Sequence, residues 1–407
     1  MRLLVVSWWM PYPPDNGTRQ RAFNLLKHLS RRHSLTLLAF GVPRGPEDIA
    51  PLQELCDRVR ILPPRTLETG RLGIEGLFSA VPRYYVQTKS KEMTTLVEAA
   101  ASDHDAVLAL TCGAGLHLSR TARTMPSVLD EIEVGVPREQ YVLERNLVRR
   151  VRHGLTWWKY RRFIRFLTTS FDRSTVVSNL EREHLRAMGC DVGRVAVVPN
   201  GVNVPDIEPA STRARRLIYP GSVMYSANLD AVRFFVTEIF PLVRRAAPDL
   251  VFTVTGATDG VDIGDLAGVE GVTFTGRLPD VDALIAESAA CVVPLRIGGG
   301  TRLKVLHAMA LSTPVVATPK GVEGLDLEPN RHVLVAENPD TLAAQIVRVV
   351  NDASLACRLV SEGRAVVRER YAWGPIASTL EGVIQSAVED HRSGQRRQAY
   401  SGAERRG

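Results

Sequence analysis

The chain has 407 residues, more than one ordinary hydrophobic core organises, so two domains are expected. With 45% hydrophobic and 23% charged residues it has the composition of a soluble globular protein rather than a disordered or fibrous one. The formal net charge of +7 suits phosphate-bearing ligands or an anionic membrane surface. No nucleic-acid partner is expected, because the basic residues are dispersed and no recognised binding module is present.

The five cysteines lie far apart, without a CxxC pair or a Cys/His cluster, so neither a disulfide framework nor a metal site is predicted. The opening MRLLVVSWWM has too few apolar residues before Pro11 to be a secretory leader. No apolar run approaches the ~20 residues that span a bilayer. The sequence therefore predicts a cytoplasmic protein.

The first half alternates short apolar runs with helix-like segments. The runs are rich in Val and Leu without polar alternation, as in strands covered on both faces. They lie at residues 3–7, 35–40, 59–62, 106–110, 127–129, 175–178 and 195–199. Alternating strand and helix signals predict right-handed βαβ units and a parallel sheet.

The segment RNLVRRVRHGLTWWKYRRFIRFL, residues 145–167, combines many arginines with two tryptophans and several aliphatic residues. One interpretation is peripheral attachment to the anionic inner face of the membrane, where lipid-linked acceptors reside. A long domain helix with solvated arginines and inward-packed aromatic rings gives the same pattern. The sequence leaves both interpretations open.

The second half repeats the alternation of strand and helix signals. Its apolar runs lie at residues 217–219, 251–255, 272–274, 290–295, 314–317 and 333–335. The intervening VVPNGVNVPDIEPASTRARR has three prolines and an Asn-Gly turn signal. The predicted domains are residues 1–203 and 204–372, followed by a helix at 373–389 and a basic, disordered tail at 390–407.

The stretch GGGTRLK, residues 298–304, lies between a predicted strand and an amphipathic helix. A Gly-rich turn brings backbone N–H groups close to a ligand, and the start of a helix adds partial positive charge. Arg302 and Lys304 would add charge-assisted hydrogen bonds. The stretch predicts a phosphate or diphosphate site, although a tight turn with surface basic residues has the same pattern. Neither a P-loop nor a GxGxxG fingerprint is present.

Four strings resemble retaining glycosyltransferases of family 4, in particular the bacterial exopolysaccharide-type subgroup. They are SWWMPYPPDNGTRQRAFNLLKHL, VVPNGVN, FTGRLPDVDALIAESAACVVPL and GGGTRLKVLHAMALSTPVVATPKGVEGL. The resemblance implies a GT-B fold, an α/β architecture of two Rossmann-like, doubly wound parallel-sheet domains facing across a cleft. It also implies that the C-terminal helix crosses back to the N-terminal domain.

The resemblance implies that the C-terminal domain holds a nucleotide-diphosphate sugar as donor substrate and the N-terminal domain holds the acceptor. Sugar transfer of the hexosyltransferase type would then proceed with retention of anomeric configuration, without a metal or a cofactor. The departing nucleoside diphosphate develops negative charge, which preorganised amides and cations can stabilise.

Site residues follow from the same resemblance, position by position. The loop at the donor diphosphate and sugar corresponds to Gly298, Gly299, Gly300, Thr301 and Arg302. The nucleobase segment corresponds to Gly276, Arg277 and Leu278, and the turn near the phosphates to Gly221 and Ser222. Gly17 corresponds to the N-domain loop below the donor phosphates. Catalytic contributions are predicted for Arg302, Lys304 and His307.

Three positions depart from the family pattern. His307 stands where a glutamate contacts the donor ribose; a neutral His can bind a hydroxyl, and it can equally be a partly buried helix residue. Ser222 marks a region where a basic pair is missing, so that Arg296, Arg302 or Lys304 would compensate. Ile132 stands where relatives carry a His, which leaves three neighbouring carboxylates for acceptor hydroxyls: Asp130, Glu131 and Glu133.

The predicted function is sugar transfer from a nucleotide-diphosphate sugar to a glycan or lipid-linked acceptor in cell-surface polysaccharide synthesis. The alternative is a catalytically impaired, nucleotide-sugar-binding homologue that acts as an assembly partner. The altered positions at Ser222, Ile132 and His307 keep that alternative open. An epimerase with two similar domains agrees less well with the order of the motifs.

Overall fold

The computed structural model describes residues 1–64, 76, 78–86, 89–144, 146–206 and 213–404. The chain divides into two compact units, Met1–Asn200 together with Trp373–Gly407, and Gly201–Ala372. The predicted boundary between residues 203 and 204 lies close in the chain to this division. Residue 145 of the basic segment and residues 207–212 of the predicted linker lie outside the described residues.

The first unit contains a seven-stranded parallel sheet. Its strands are β1 (Arg2–Ser7), β2 (Ser34–Phe40), β3 (Arg58–Leu62), β4 (Ala106–Leu110), β5 (Ser127–Asp130), β6 (Arg173–Val176) and β7 (Val195–Val197). Their order is β3-β2-β1-β4-β5-β6-β7, so the winding of the chain reverses between β1 and β4. All residues of β4 are buried, which agrees with an apolar run that lacks polar alternation.

Helices cover both faces of this first sheet. They are α1 (Gly17–Leu29), α2 (Ala50–Gln53), α3 (Lys91–Ala101), α4 (Cys112–Leu118), α5 (Gly135–Leu143), α6 (Leu147–Ser170), α7 (Asn179–Ala187) and, from the end of the chain, Trp373–Glu404. Alternate residues of β1 enter different cores: Leu4 and Val6 join one cluster, and Leu3 and Val5 join the other. The sheet is therefore buried on both sides, as a doubly wound fold requires.

The second unit contains a six-stranded parallel sheet. Its strands are β8 (Ala214–Pro220), β9 (Val251–Thr255), β10 (Val272–Phe274), β11 (Ser288–Val293), β12 (Val315–Ala317) and β13 (Leu334–Val335). The order β10-β9-β8-β11-β12-β13 reverses between β8 and β11. Its helices are α8 (Ser226–Phe234), α9 (Phe240–Ala246), α10 (Gly264–Ala267), α11 (Asp282–Ala286), α12 (Leu303–Ala310), α13 (Pro339–Asn351) and α14 (Ala353–Arg370).

The structure confirms the predicted α/β fold of two doubly wound parallel sheets. Each of the thirteen strands in the part of the chain that the structure describes overlaps an apolar run predicted from the sequence, with differences only at strand ends. No helix among the described residues is both long and apolar enough to cross a bilayer.

The last helix, α15 (Trp373–Glu404), differs from its prediction. It runs beyond residue 389, so residues 390–404 are helical where a disordered tail was expected. The reason is local, since Arg, Gln, Glu and Ala are good helix formers and extending an existing helix avoids the cost of a new nucleus. Near its start, Trp373, Ile376 and Leu380 are buried in the same cluster as Leu25 and Leu26 of α1.

Candidate functional site

The predicted phosphate-binding turns lie at the carboxyl ends of the two central strands of the second sheet. Gly221 and Ser222 follow β8, and the Gly-rich loop, residues 298–301, follows β11. These strands are neighbours at the point where the strand order reverses. Open α/β sheets bind ligands at this switch point, because the flanking connections diverge there and leave a crevice. The fold therefore brings together two of the predicted segments that are distant in sequence.

Two glycines allow these turns to approach their neighbours closely. A Cβ on Gly256, after β9, would lie 2.6 Å from the backbone N of Ser222. A Cβ on Gly298 would lie 2.9 Å from Ala227 Cβ at the start of α8. Both have positive φ angles, +102° and +103°, which disfavour any residue with a side chain. Glycine at both positions is required by the packing of this end of the sheet.

Ser222 serves the same packing. Its Oγ donates to the carbonyl oxygen of Ala257 at 2.9 Å, and its own carbonyl oxygen accepts from Asn228 Nδ2 at 2.7 Å. The side chain thus ties the turn after β8 to the loop after β9. A direct contact of Ser222 with phosphate stays a prediction.

Arg302 is buried and its guanidinium supports the Gly-rich loop. It donates to the carbonyl oxygens of Gly298 at 2.6 Å, Gly299 at 2.7 Å and Lys320 at 2.9 Å. It also pairs with Glu323 at 3.3 Å. The planar fork of an arginine fits this set of acceptors, and a lysine would not replace it. The structure therefore gives Arg302 a role in shaping the loop, and its predicted contact with diphosphate stays a prediction.

Lys304 lies at the turn after β8. Its Nζ donates to Tyr219 Oη at 2.6 Å and to Asn228 Oδ1 at 2.7 Å, and it is 4.1 Å from the centroid of the Tyr219 ring. A Cβ on Gly221 would be 3.0 Å from this nitrogen. Burial lowers the pKa of Lys304 to about 7, and the positive charge of Arg302 acts in the same direction while Cys291 opposes it. An anion beside Gly221 would favour the charged form.

His307 contacts a carboxylate from another element. Its Nε2 lies 2.9 Å from Asp282 Oδ1, at the start of α11, and this hydrogen bond lowers the pKa of Asp282. About a third of the His307 side chain is exposed. The contact joins α12 to the segment that follows the predicted nucleobase residues. It agrees with a helix histidine hydrogen-bonded to a surface carboxylate, and the ribose contact stays a prediction.

Three further predicted residues follow β10 at the edge of the same sheet. Gly276 has a φ of +68°, and its carbonyl oxygen accepts from the backbone N of Gly256 at 3.0 Å. Arg277 and Leu278 are exposed. Arg296, considered as a substitute cation, instead pairs with Asp230 at 2.7 Å.

In the first unit, Gly17 is the first residue of α1, which follows β1 and its loop. Asn16 caps this helix, its side chain accepting from the backbone N of Arg19 at 3.1 Å. Close to this point, at the switch between β1 and β4, lies a cavity of about 240 Å³. Its lining consists of Trp8, Thr18, Tyr85, Thr111, Cys112, Glu131, Glu133, Val136, Pro137, Gln140 and Tyr160.

The three carboxylates left for acceptor hydroxyls have different environments. Asp130 is fully buried and forms two hydrogen bonds of 2.7 Å with Arg21, and it also accepts from Thr175 at 2.6 Å. It is a structural residue, which corrects the interpretation of Asp130 as an acceptor ligand. Glu131 and Glu133 line the cavity. Ile132, between them, is buried in the core.

Sequence reasoning missed Arg21, Trp8 and Thr111. Arg21, on α1, is fully buried against Asp130. Trp8 and Thr111 immediately follow β1 and β4. The rule that ligands meet the carboxyl ends of the strands at a switch point could have identified these two, had the strand order been known.

A larger cavity, about 850 Å³, lies elsewhere in the second unit. Arg213 and Ala289 line it at the amino ends of β8 and β11, and α13 and α14 contribute most of its other residues. All strands of this sheet are parallel, so this cavity is at the end opposite the Gly-rich loop. We therefore do not assign it to the donor site.

Both halves of the chain match models of glycosyltransferase families. Residues 16–201 match the model of a glycosyl transferase 4-like domain, and residues 214–352 match that of glycosyl transferases group 1. Two doubly wound parallel sheets in one chain are the architecture of the GT-B class. Both units of the chain thus match glycosyltransferase domain models on a fold of this class.

Similar proteins agree with this assignment. The structure of the Anabaena protein Alr3699/HepE, solved with UDP and glucose, matches 95% of this chain and 100% of its own with a TM-score of 0.67 at 13% identity. The uncharacterized glycosyltransferase MJ1607 of Methanocaldococcus jannaschii is 24% identical over 238 residues, 53% of this chain and 60% of that protein. An uncharacterized 44.6 kDa protein in the cps region of Klebsiella pneumoniae is 21% identical over 173 residues, 40% of this chain and 44% of that protein. The chain thus spans about half the length of the curated relatives it matches.

Proposed function

We propose that this protein transfers a hexose, with retention, from a nucleotide-diphosphate sugar to a glycan or lipid-linked acceptor in cell-surface polysaccharide synthesis. The observation that carries the proposal is the position of the Lys304 ammonium beside Gly221, at the switch point where the Gly-rich loop also lies. This arrangement offers a cation and flexible backbone to a diphosphate.

The chemistry follows from the charge of the leaving group. Breaking the glycosidic bond leaves negative charge on the diphosphate, and a preorganised cation in a partly buried site stabilises it strongly. Lys304 is held by Tyr219 and Asn228, so little reorganisation is needed when the anion arrives. Arg302 contributes by fixing the carbonyl groups of the Gly-rich loop. We propose that transfer requires no bound metal.

UDP is the nucleotide that we propose for the donor, because the similar Anabaena structure was solved with UDP and glucose. The test is a panel of UDP-, GDP- and ADP-hexoses incubated with the full chain and no acceptor, with released nucleoside diphosphate as the readout. Release from a UDP-hexose, unchanged by a metal chelator, is expected. Binding without release, even after acceptor extracts are added, would leave only a binding protein.

Retention is tested on the product. With a UDP-α-hexose and an acceptor that is turned over, the anomeric proton of the new glycoside should show an α linkage by NMR. A β linkage would exclude retention and leave the assignment to glycosyltransferases intact.

Contact with an anionic membrane is a further part of the proposal, supported by the surface of α6. Its first half exposes an apolar stripe, with Val148 80% and Val151 75% exposed, and Trp158 continues the stripe at 53%. Exposed arginines flank it: Arg149, Arg150, Arg152, Arg161 and Arg162. The later residues Phe163, Ile164 and Leu167 pack into the core. Apolar residues between arginines suit the interface of an anionic bilayer.

Vesicle co-sedimentation tests this contact. Vesicles containing phosphatidylglycerol should bind the protein and pure phosphatidylcholine vesicles should not. Val148→Glu should weaken binding, whereas Val42→Glu, at another strongly exposed valine of the same unit, should not. Equal binding to both vesicle types would exclude the electrostatic contact.

A further inference from the structure

The cavity of the first unit has features that donor binding does not explain. Its volume of about 240 Å³ is below the ~300–1,000 Å³ of sites for drug-sized ligands. It lies at the carboxyl ends of β1, β4 and β5, where Trp8, Thr111 and Glu131 follow these strands. The size indicates a ligand of about one ring, not a nucleotide.

Two buried polar atoms of the lining have no hydrogen-bond partner among the described residues, Trp8 Nε1 and Thr111 Oγ1. The indole nitrogen can only donate, and the hydroxyl can both donate and accept. Buried polar groups in native proteins are generally paired, so each of these atoms requires an explanation. A ligand rich in hydroxyl groups would satisfy both.

Backbone strain is concentrated at the same place. Thr111 has a φ of 76° and Glu131 a φ of 59°, values that non-glycine residues rarely adopt. For a β-branched threonine this conformation is particularly unfavourable. Such strain persists only where the surrounding structure imposes it, and it occurs preferentially at ligand sites. Here the two strained residues directly follow neighbouring strands and line one cavity.

Aromatic rings form another part of the wall. The ring centroids of Trp8 and Tyr85 are 5.1 Å apart, and those of Tyr85 and Tyr160 are 6.4 Å apart. Trp8 also packs directly on Gly113, where a Cβ would lie 2.6 Å from the indole Cγ. A pyranose presents an apolar C–H face and a rim of hydroxyls, which matches aromatic rings beside polar atoms.

The charge of the lining restricts the ligand further. Glu131 and Glu133 belong to it, and the lining residues that the structure describes include no Lys or Arg. Burial raises the pKa of Glu131 to about 8; Asp130 and Glu133 act in the same direction while Arg21 opposes them. A ligand carboxylate or phosphate would add negative charge to a site that already disfavours it.

We propose that this cavity binds the terminal sugar of the acceptor as one uncharged pyranose ring, hydrogen-bonded by Thr111 and Trp8. The inference rests on the proposed transferase function, and it adds a selection: acceptor ends that carry a uronate or a phosphate are excluded. Thr111, Trp8 and Glu131 thereby become residues that determine acceptor specificity.

Saturation-transfer NMR on the full chain tests this site without requiring turnover. The probes are the methyl glycosides of glucose, galactose, mannose and N-acetylglucosamine, with methyl glucuronide as the anionic comparison. At least one neutral glycoside should receive saturation, and the glucuronide should not. Thr111→Val and Trp8→Phe should each weaken binding of that glycoside roughly tenfold, the effect of losing one hydrogen bond.

Thr169→Val is the matched control, since it removes the hydroxyl of an exposed threonine on α6 of the same unit. It should bind the glycoside like the unmodified chain, and thermal unfolding should show that all variants are folded. Absence of saturation for every neutral glycoside would overturn the proposal, and so would binding that Thr111→Val and Trp8→Phe leave unchanged. Equal binding of the glucuronide would overturn the charge selection.

UDP binding to the unmodified chain, measured by calorimetry, separates this inference from the proposed function. Glycoside binding without binding of UDP, GDP or ADP would refute the transferase proposal and leave a saccharide site in the first unit. UDP binding without glycoside binding would refute this inference alone.

Discussion

Each unit ends its two central strands at a switch point, yet the first surrounds that point with carboxyl groups and aromatic rings, and the second with glycines and a lysine. The sheets have the same winding, so the difference lies in the residues that follow the strands. Thr111 and Glu131 have a strained backbone and line a cavity, whereas Gly256 and Gly298 leave room for neighbouring segments to approach closely. In this fold the sheet therefore fixes the position of a site, and the residues of its loops determine the chemistry.

The largest effect is expected at the lysine of the second unit. Lys304→Met should weaken UDP binding by about 2–3 kcal/mol, or roughly 30- to 150-fold, because a charged hydrogen-bond donor is lost beside the phosphates. Calorimetry measures this, with Arg348→Gln on α13 as a control that removes an exposed positive charge from the same unit. In the first unit, Glu131→Gln should not change UDP affinity. Equal loss of affinity in all three variants would abolish the distinction between the units.

Arg302→Ala should act mainly through the loop. The carbonyl groups of Gly298 and Gly299 would lose their buried donor, and we expect a loss of unfolding free energy of about 2 kcal/mol. UDP affinity should fall as a consequence. Denaturant unfolding and calorimetry measure the two effects, and Arg302→Lys should restore neither fully, because it lacks the planar fork. Loss of UDP binding with unchanged stability would instead support the direct contact with diphosphate.

The pH dependence of UDP binding is the next effect in size. In the free protein Lys304 is charged below a pH of about 7 and neutral above it. A diphosphate favours the charged form, so binding above that pH takes up a proton, and affinity falls as pH rises. We expect a decrease of roughly tenfold between pH ~6.5 and ~8. The Lys304→Met variant serves as the control, because its UDP affinity changes with pH only through the titration of other groups, including UDP itself. If the variant and the unmodified chain show the same pH dependence of UDP affinity, protonation of Lys304 does not contribute to binding.

The smallest effect is expected at His307. His307→Ala should reduce UDP affinity by about 0.5–1.5 kcal/mol if its ring binds the ribose. Asp282→Ala removes only the partner of the histidine and should leave that affinity unchanged. If both substitutions leave UDP affinity unchanged, His307 contacts only Asp282 and takes no part in UDP binding. The anion site would then be restricted to the loops after β8 and β11.

Most of the fold could be predicted because its signals are local. Apolar runs without alternating polar residues indicate strands that are buried on both faces, and each of the predicted runs forms a strand. The prediction of a disordered tail is wrong for residues 390–404, since polar residues such as Arg, Gln and Glu also favour helix. The Gly-rich loop and the turn at Gly221, which are distant in sequence, lie at one end of the second sheet. Their role in binding a donor stays a prediction.

The sequence by itself determined two parallel sheets and a glycine-rich turn between β11 and α12. Only the tertiary structure decided that Arg302 supports that turn and that Asp130 forms a buried ion pair with Arg21. It also decided that Trp8 and Thr111 line the same cavity. The physical reason is the separation along the chain of the residues that interact. Periodicity and turn signals depend on residues a few positions apart, whereas burial and hydrogen-bond partners depend on which distant strands become neighbours.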